Sequence, residues 1–348
     1  MRVLHGGEWH DVAALGIGES GILRTVTALG NELPVPPSPV TFTVAGPTTF
    51  TPMIEAVGEV AWYEGDLLIG TGAQPSLVLS AGSHQIDMRV WAYAGGPTAM
   101  ETVTTINVGF DSEEDSGRYN LGPGYNWPPQ AVTAVEGLSG LAGLVRFCAA
   151  HCPIEDRLNF SGCVSLEYVE CFQANVQAVT LTGCISLIRL CLENCRVAGV
   201  TNVIDLNPVR TTLRDLRAAN QRGVPAGTIL SFTTLTAPLD QMYHFCVRDQ
   251  PMANAPGLGS LPAIEEYWCW DTGQSTAETP ISPVARSFPL YDNSFDQASV
   301  DRILIGLRDN STKGAFSFVD LRGSATPSSV GLTAAADLRS RGWTVTHD

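Results

Sequence analysis

The chain has 348 residues, of which 20 are Lys or Arg and 35 are Asp or Glu, giving a formal net charge of -15. Binding nucleic-acid phosphates or an anionic membrane surface requires clustered cations, and basic residues here come together only in pairs such as Arg339 and Arg341, so neither is expected as a partner. With 44% apolar residues, 34 Gly and 22 Pro, the composition describes a folded, turn-rich, β-leaning chain of two or three domains.

The N-terminus, Met1 to Trp9, has no apolar core segment, and nowhere do eighteen uncharged apolar residues run together. The expectation is a soluble protein made in a cytoplasm without a secretion signal. Within residues 1–35, Gly7-Glu8-Trp9-His10-Asp11-Val12-Ala13 recurs as Gly21-Ile22-Leu23-Arg24-Thr25-Val26-Thr27, which predicts a β-hairpin around Gly16 to Glu19. An isolated hairpin is marginal in water, so Trp9, Val12, Leu23 and Val26 are candidate residues for docking on something larger. Residues 31–39, with Pro34, Pro36, Pro37 and Pro39, predict a stiff linker.

Residues 40–110 alternate and are rich in Thr, Val and aromatics, as in Thr41-Phe42-Thr43-Val44 and Val60-Ala61-Trp62-Tyr63. Such short strands separated by turn residues predict a small β-sandwich. A second linker follows over 111–130. Its acidic run, Asp111 to Asp115, is read as solvated linker because it lacks the spaced loop of a Ca2+ site, and Tyr125 and Trp127 are read as covering the first repeat.

Residues 131–295 repeat. Gly143-Leu144-Val145-Arg146-Phe147-Cys148, Ser165-Leu166-Glu167-Tyr168-Val169-Glu170 and Ser186-Leu187-Ile188-Arg189-Leu190-Cys191 are offset by 22 and then 21 residues. Leu at i, i+3 and i+5 with that period predicts a leucine-rich-repeat α/β solenoid, continued less regularly at Leu213, Met242 and Ile264, with insertions after Val197 and Ala218. Seven of the nine Cys lie in the three clear copies. Their spacing follows the repeat, so buried packing is expected over disulfides or zinc. Residues 296–348 predict an α/β capping unit: a helix from Asp296 to Arg308, a strand at Phe316 to Leu321, a second helix from Pro327 and a last strand at Trp343 to Val345.

A search for chemistry finds no G-x-S-x-G, H-E-x-x-H, P-loop or dinucleotide fingerprint. Neither Glu113-Glu114 nor Glu265-Glu266 makes an acid/base couple, because adjacent strand residues point to opposite faces. No enzyme activity, cofactor or metal is expected. If the repeat leucines point inward, the residues between them line one concave sheet: Arg146, Tyr168, Glu170, Phe172, Arg189, Glu193, Asp215, Arg217, His244, Arg248, Glu266, Trp268 and Trp270. Exposed aromatics beside Arg and Glu are the composition of a binding surface for protein or sugar; structural cover by another part of the chain is the competing reading.

Taken together, the paired hairpin motif, a sandwich similar to immunoglobulin-like PKD modules around Trp62 to Asp66 and Ala81 to Ile86, the Cys-rich repeats, and an ending with Val300-Asp301-Arg302-Ile303-Leu304, Val319-Asp320-Leu321-Arg322-Gly323 and Leu338-Arg339-Ser340-Arg341-Gly342-Trp343 resemble minor tail proteins of tailed bacteriophages of actinobacteria. The ending is the most specific part and covers about fifty residues. The resemblance implies a structural virion protein, assembled in the host cytoplasm, oligomeric within the particle, contacting other virion proteins through its N-terminal region and displaying its repeats toward a host-surface protein or glycan. Capsid decoration or a head fibre is the alternative place for such modules. A cell-wall-acting enzyme is the weaker alternative, and no catalytic residue is carried over.

Overall fold

A computed structural model describes residues 2–5, 8–17, 23–27, 39–91, 99–109, 130–197, 203–219, 228–314 and 316–348, with side chains from residue 39 onward except 91, 99 and 101. The chain divides into two units, Met1–Pro37 and Ser38–Asp348. In the first, β1 (Arg2–His5), β2 (Glu8–Ile17) and β3 (Leu23–Thr27) form a three-stranded antiparallel sheet in that order. The expected two-stranded hairpin therefore gains a strand, with Leu4 opposite Trp9 and Ile17 opposite Leu23.

The second unit begins with β4 (Val40–Phe50), β5 (Met53–Ala56), β6 (Glu59–Glu64), β7 (Leu67–Thr71), β8 (Leu77–Trp91), β9 (Val103–Asn107) and β10 (Val132–Glu136). Alternation puts Phe42, Phe50 and Trp62 on one face, where their ring centroids lie 5.7 to 6.0 Å apart. Trp62 Nε1 donates to the Gly72 carbonyl at 2.9 Å, so its one polar group is satisfied in the core. The Ig/PKD-like sandwich expected over 40–110 does not close on itself. Its antiparallel sheet runs β10-β4-β8-β6-β7 and takes β10 from beyond the expected boundary, while β5 and β9 leave it to begin a second sheet.

That second sheet has eleven strands and organises the rest of the chain. After β9 come β11 (Arg146–Cys148), β12 (Arg157–Asn159), β13 (Tyr168–Glu170), β14 (Ala178–Thr180), β15 (Arg189–Cys191), β16 (Val203–Ile204), β17 (Asp215–Arg217), β18 (Leu230–Phe232), β19 (His244–Cys246), β20 (Met252–Ala253), β21 (Glu266–Trp268) and β22 (Ser287–Pro289). Helix α1 (Gln297–Asn310), β23 (Phe318–Asp320), α2 (Ser329–Ser340) and β24 (Thr344–Thr346) complete it. The long sheet reads β24-β23-β22-β21-β19-β17-β15-β13-β11-β9-β5 and is parallel except for β5. Arg146 sits beside Tyr168, and Tyr168 beside Arg189, so each turn of the coil advances one repeat.

The expected α/β leucine-rich-repeat solenoid is overturned by what closes each coil. Return legs that an α/β repeat would make helical are strands, paired as β12-β14 and β16-β18-β20. The sequence explains why: Leu158 and Phe160, and then Val179 and Leu181, are buried at a spacing of two, the period of a strand. Among the described residues only α1 and α2 are α-helices, and both fall at the end. In α1 the buried Val300, Ile303, Leu304 and Leu307 follow the helical period, and the Asp296 side chain caps the first turn by accepting from Ser299 N at 2.7 Å. Nor is the expected capping unit separate, because β22, β23 and β24 continue the same sheet.

Each rung of the long sheet buries its middle residue: Phe147, Val169, Leu190, Leu216, Phe245, Tyr267, Phe288, Val319 and Val345. Burying such a side chain contributes about 1.5 to 3 kcal/mol, so the column of middle residues is the main cohesive term. Coil corners are closed by two hydrogen-bond ladders. At one, Gly140 N donates to Ser161 O and Gly162 N to Thr182 O, both at 2.8 Å. At the other, His151, Gln173, Asn194, Asp249, Asp271 and Asp292 all have φ between 50° and 62°, and each donates its N–H to the next coil.

Cys163, Cys184 and Cys195 are part of the corners. Cys163 Sγ donates to Leu138 O at 3.1 Å, Cys184 to Phe160 O at 3.2 Å and Cys195 to Cys171 O at 2.7 Å. A thiol fits the tight interior and satisfies a carbonyl of the preceding coil. All nine Cys are free and buried. Burial pushes the Cys163 thiol up to about 11 and that of Cys184 to about 12. The chain ends on β24, where Thr344 N bonds Ser317 O and Thr346 O accepts from Leu321 N, both at 2.9 Å, which turns Val345 toward the outer edge. Arg339 Nη2 bonds the Val345 carbonyl there at 2.8 Å.

Gly183 has φ +83°, and a Cβ there would lie 3.3 Å from Gly162 N. Gly183→Val is expected to cost about 1 to 3 kcal/mol through strain at that corner, read as a lowered Tm, whereas Thr182→Val, at an exposed neighbour without a positive φ, should leave Tm nearly unchanged. Native protein at pH 8 is expected to leave all nine thiols unmodified by a thiol-exchange dye, with nine reacting after denaturation; prompt reaction in the native state would contradict the buried corners.

Candidate functional site

The outward residues of the long sheet form two columns along the coil axis. From β13 to β22 each rung of the long sheet starts where two successive N–H groups share one carbonyl of the preceding coil, as with Glu167 and Tyr168 on Val145 O, Ile188 and Arg189 on Glu167 O, and Glu265 and Glu266 on Tyr243 O. This bulge breaks strict alternation. It corrects the expectation for Glu265-Glu266, since both carboxylates reach Arg286, at 3.0 and 2.8 Å.

In the first column cationic, aromatic and acidic side chains contact one another from coil to coil. Arg146 lies over the Tyr168 ring at 5.0 Å. Arg189 Nε is 2.6 Å from Glu170 and 3.7 Å from Asp215. Asp215 also meets Arg217 at 3.3 Å and His244 Nδ1 at 2.6 Å, and His244 Nε2 is 4.0 Å from Glu266. Arg189, Asp215 and His244 are 6%, 3% and 3% exposed, so residues expected on an open concave face are covered by one another. Burial alone would raise the Asp215 carboxyl; the His244 hydrogen bond and charge, with Arg217 and Arg189, outweigh it and hold the group below the usual carboxylate value.

An Asp–His pair is half of a catalytic triad. Here the other ring nitrogen faces a carboxylate, has no hydrogen-bond partner, and is shut in by the edge of Trp268, 5.3 Å between centroids at 89°. At this pair the geometry orients charge within the protein, and among the described residues no hydroxyl or thiol is hydrogen-bonded to His244 Nε2.

The second column is aromatic. Arg248 lies 5.0 Å over Trp270, Trp270 stacks on Tyr291 at 5.3 Å and 16°, and Arg322 lies 5.9 Å over Tyr291. These residues occupy the same position in four successive coils, so both faces of both rings are taken by neighbours. Arg248 also reaches across the coil of the small Ala219 to Glu193, 2.6 Å away. Trp268 Nε1 donates to Ser287 Oγ at 3.0 Å and Trp270 Nε1 to Asp249 at 3.2 Å. Phe172 is half-buried against His151, 5.3 Å between centroids.

Of the predicted binding residues, Tyr168, Arg189, His244 and Glu266 thus fall in the first column, and Glu193, Arg248 and Trp270 in the aromatic one, with Glu170, Arg217 and Trp268 at the rung position between them. Sequence reasoning missed Tyr291, Arg286 and Arg322 as partners; Tyr291 and Arg322 are marked by following the coil position of Trp270 one and two turns on. Trp9 and Val12 lie on β2, and Leu23 and Val26 on β3, where backbone pairing is described and side chains are not. Residues 111–129, including Tyr125 and Trp127, lie outside the described residues. Among the described residues no group of three or more His, Cys, Asp or Glu is arranged to hold a metal ion, and no helix is long and apolar enough to cross a membrane. The chain matches no protein-family model, no curated protein and no solved structure.

Asp215→Asn should destabilise by about 3 to 5 kcal/mol at pH 7, because it strips a buried cation cluster of its carboxylate. A carboxyl held low contributes stability that is present above the unfolded-state value near pH 4 and is lost as pH falls through the lower folded value. The stability gap between wild type and variant, from urea unfolding at several pH values, is therefore expected to narrow below about pH 4; a gap independent of pH would remove the charge from the explanation.

Proposed function

We propose that the protein is a non-enzymatic structural component of a tailed-phage virion, a minor tail protein that presents the outer face of its coil stack for protein or host-surface binding. The observation that carries the binding half of this reading is the column Arg248, Trp270, Tyr291 and Arg322, which fixes Trp and Arg side chains on a rigid sheet with no loss of order on contact. Such residues are enriched at binding hot spots. Since the ring faces are stacked on each other, contact is by ring edges and guanidinium groups, which suits a polar protein surface better than sugar stacking. The virion half rests on the resemblance of the final fifty or so residues to minor tail proteins.

Gold labelling of a tag at Asp348 on purified virions tests the placement. Label at the tail or its tip is expected, with loss of label when residues 1–35 are deleted. Label spread over the head would support capsid decoration, and particles without label would refute the virion assignment. On labelled particles, Trp270→Ala with Arg248→Ala is expected to lower the adsorption rate at least about tenfold, the loss of one hot spot; unchanged adsorption would remove the face from the binding role.

A further inference from the structure

We propose that a cleft on the opposite side of the coils from the long sheet is a binding site for a neutral saccharide chain. It arises from the change in return legs. Up to β20 each return leg is a strand, and from α1 onward a helix, but residues 269–286 between them carry neither. The missing layer leaves a cleft of about 720 Å3 beside β20 and α1, within the size range of small-ligand sites.

Its chemistry narrows the occupant. Only two of its lining residues are charged, Glu278 and Arg302, and they are opposite in sign, which disfavours phosphates and other polyanions. Both are fixed by backbone. Glu278 accepts from Gly259 N at 2.9 Å and lies where a Cβ on Gly257 or Gly259 would clash with it. Arg302 donates through Nε to Ala277 O at 2.9 Å and through Nη2 to Ser299 Oγ at 2.7 Å, with Nη1 outside both bonds. A preset carboxylate, guanidinium and the Gln274 amide match the paired donors and acceptors of vicinal hydroxyls. The half-buried Met252, Ala255 and Ala277 supply apolar surface for sugar C–H groups. The site depends neither on the aromatic column nor on virion membership.

Calorimetric titration of the full chain with maltohexaose, cellohexaose and chitohexaose tests it, with a flexible Gly-Ser peptide in parallel. At least one sugar is expected to bind. Glu278→Gln and Arg302→Gln should each weaken it about tenfold or more, as expected for a lost hydrogen bond to a charged group. Thr276→Trp, an exposed rim position, should block it without lowering Tm, and Trp270→Ala should leave it unchanged. Failure of all three sugars at about 5 mM, where millimolar affinity would register, overturns the proposal whether or not the peptide binds. So does binding that survives Thr276→Trp. A sugar lost on Trp270→Ala but retained in Thr276→Trp would instead place recognition on the sheet face.

Discussion

Everything in the larger unit depends on the register between successive coils. One rung slipping by a residue would exchange its buried middle side chain for the charged ones beside it, and a slip at Leu216 would press Asp215 or Arg217 into the core. The corners prevent this. Residues with positive φ on one side and glycines on the other each spend a backbone N–H on the next coil, so the corners fix the spacing that the buried column then rewards. Cys152, Cys163, Cys184 and Cys195 belong to this arrangement, each thiol filling a tight interior position and donating to a backbone carbonyl.

The register also dictates the electrostatics. Equivalent positions in neighbouring coils stand one strand spacing apart, close enough that like charges would repel and unlike charges pair. Arg189 accordingly lies between Glu170 and Asp215, Asp215 also meets Arg217, and the column buries itself in the process. A chain of formal charge -15 thereby carries a locally balanced seam along one face. The aromatic column obeys the same geometry with cation–π contacts at its two ends.

How much of this was legible in the sequence follows from the range over which each signal acts. The period, the inward Leu and Phe positions and the helix at Asp296 are written in spacing, and spacing survives folding. The helical return legs were inferred from analogy with leucine-rich repeats, although Leu158-x-Phe160 and Val179-x-Leu181 spell a strand; the two-residue period is short and easily overlooked inside a longer repeat. The outward residues could be placed on a face, but their burial could not be foreseen. Exposure of His244 is decided by Trp268 and Asp215, one coil away on either side, and pairing across coils depends on register at the level of single residues. The hidden continuity between the expected sandwich and the repeats rests on β9 and β10 each joining the other's sheet, which no local pattern records.

A stack of like rungs has no inherent length, since each new edge offers the next coil the same backbone groups. At the outer edge of β24 part of that offer is withdrawn: the Arg339 side chain occupies the Val345 carbonyl. A strand added at this edge would have to displace that guanidinium before it could pair with β24.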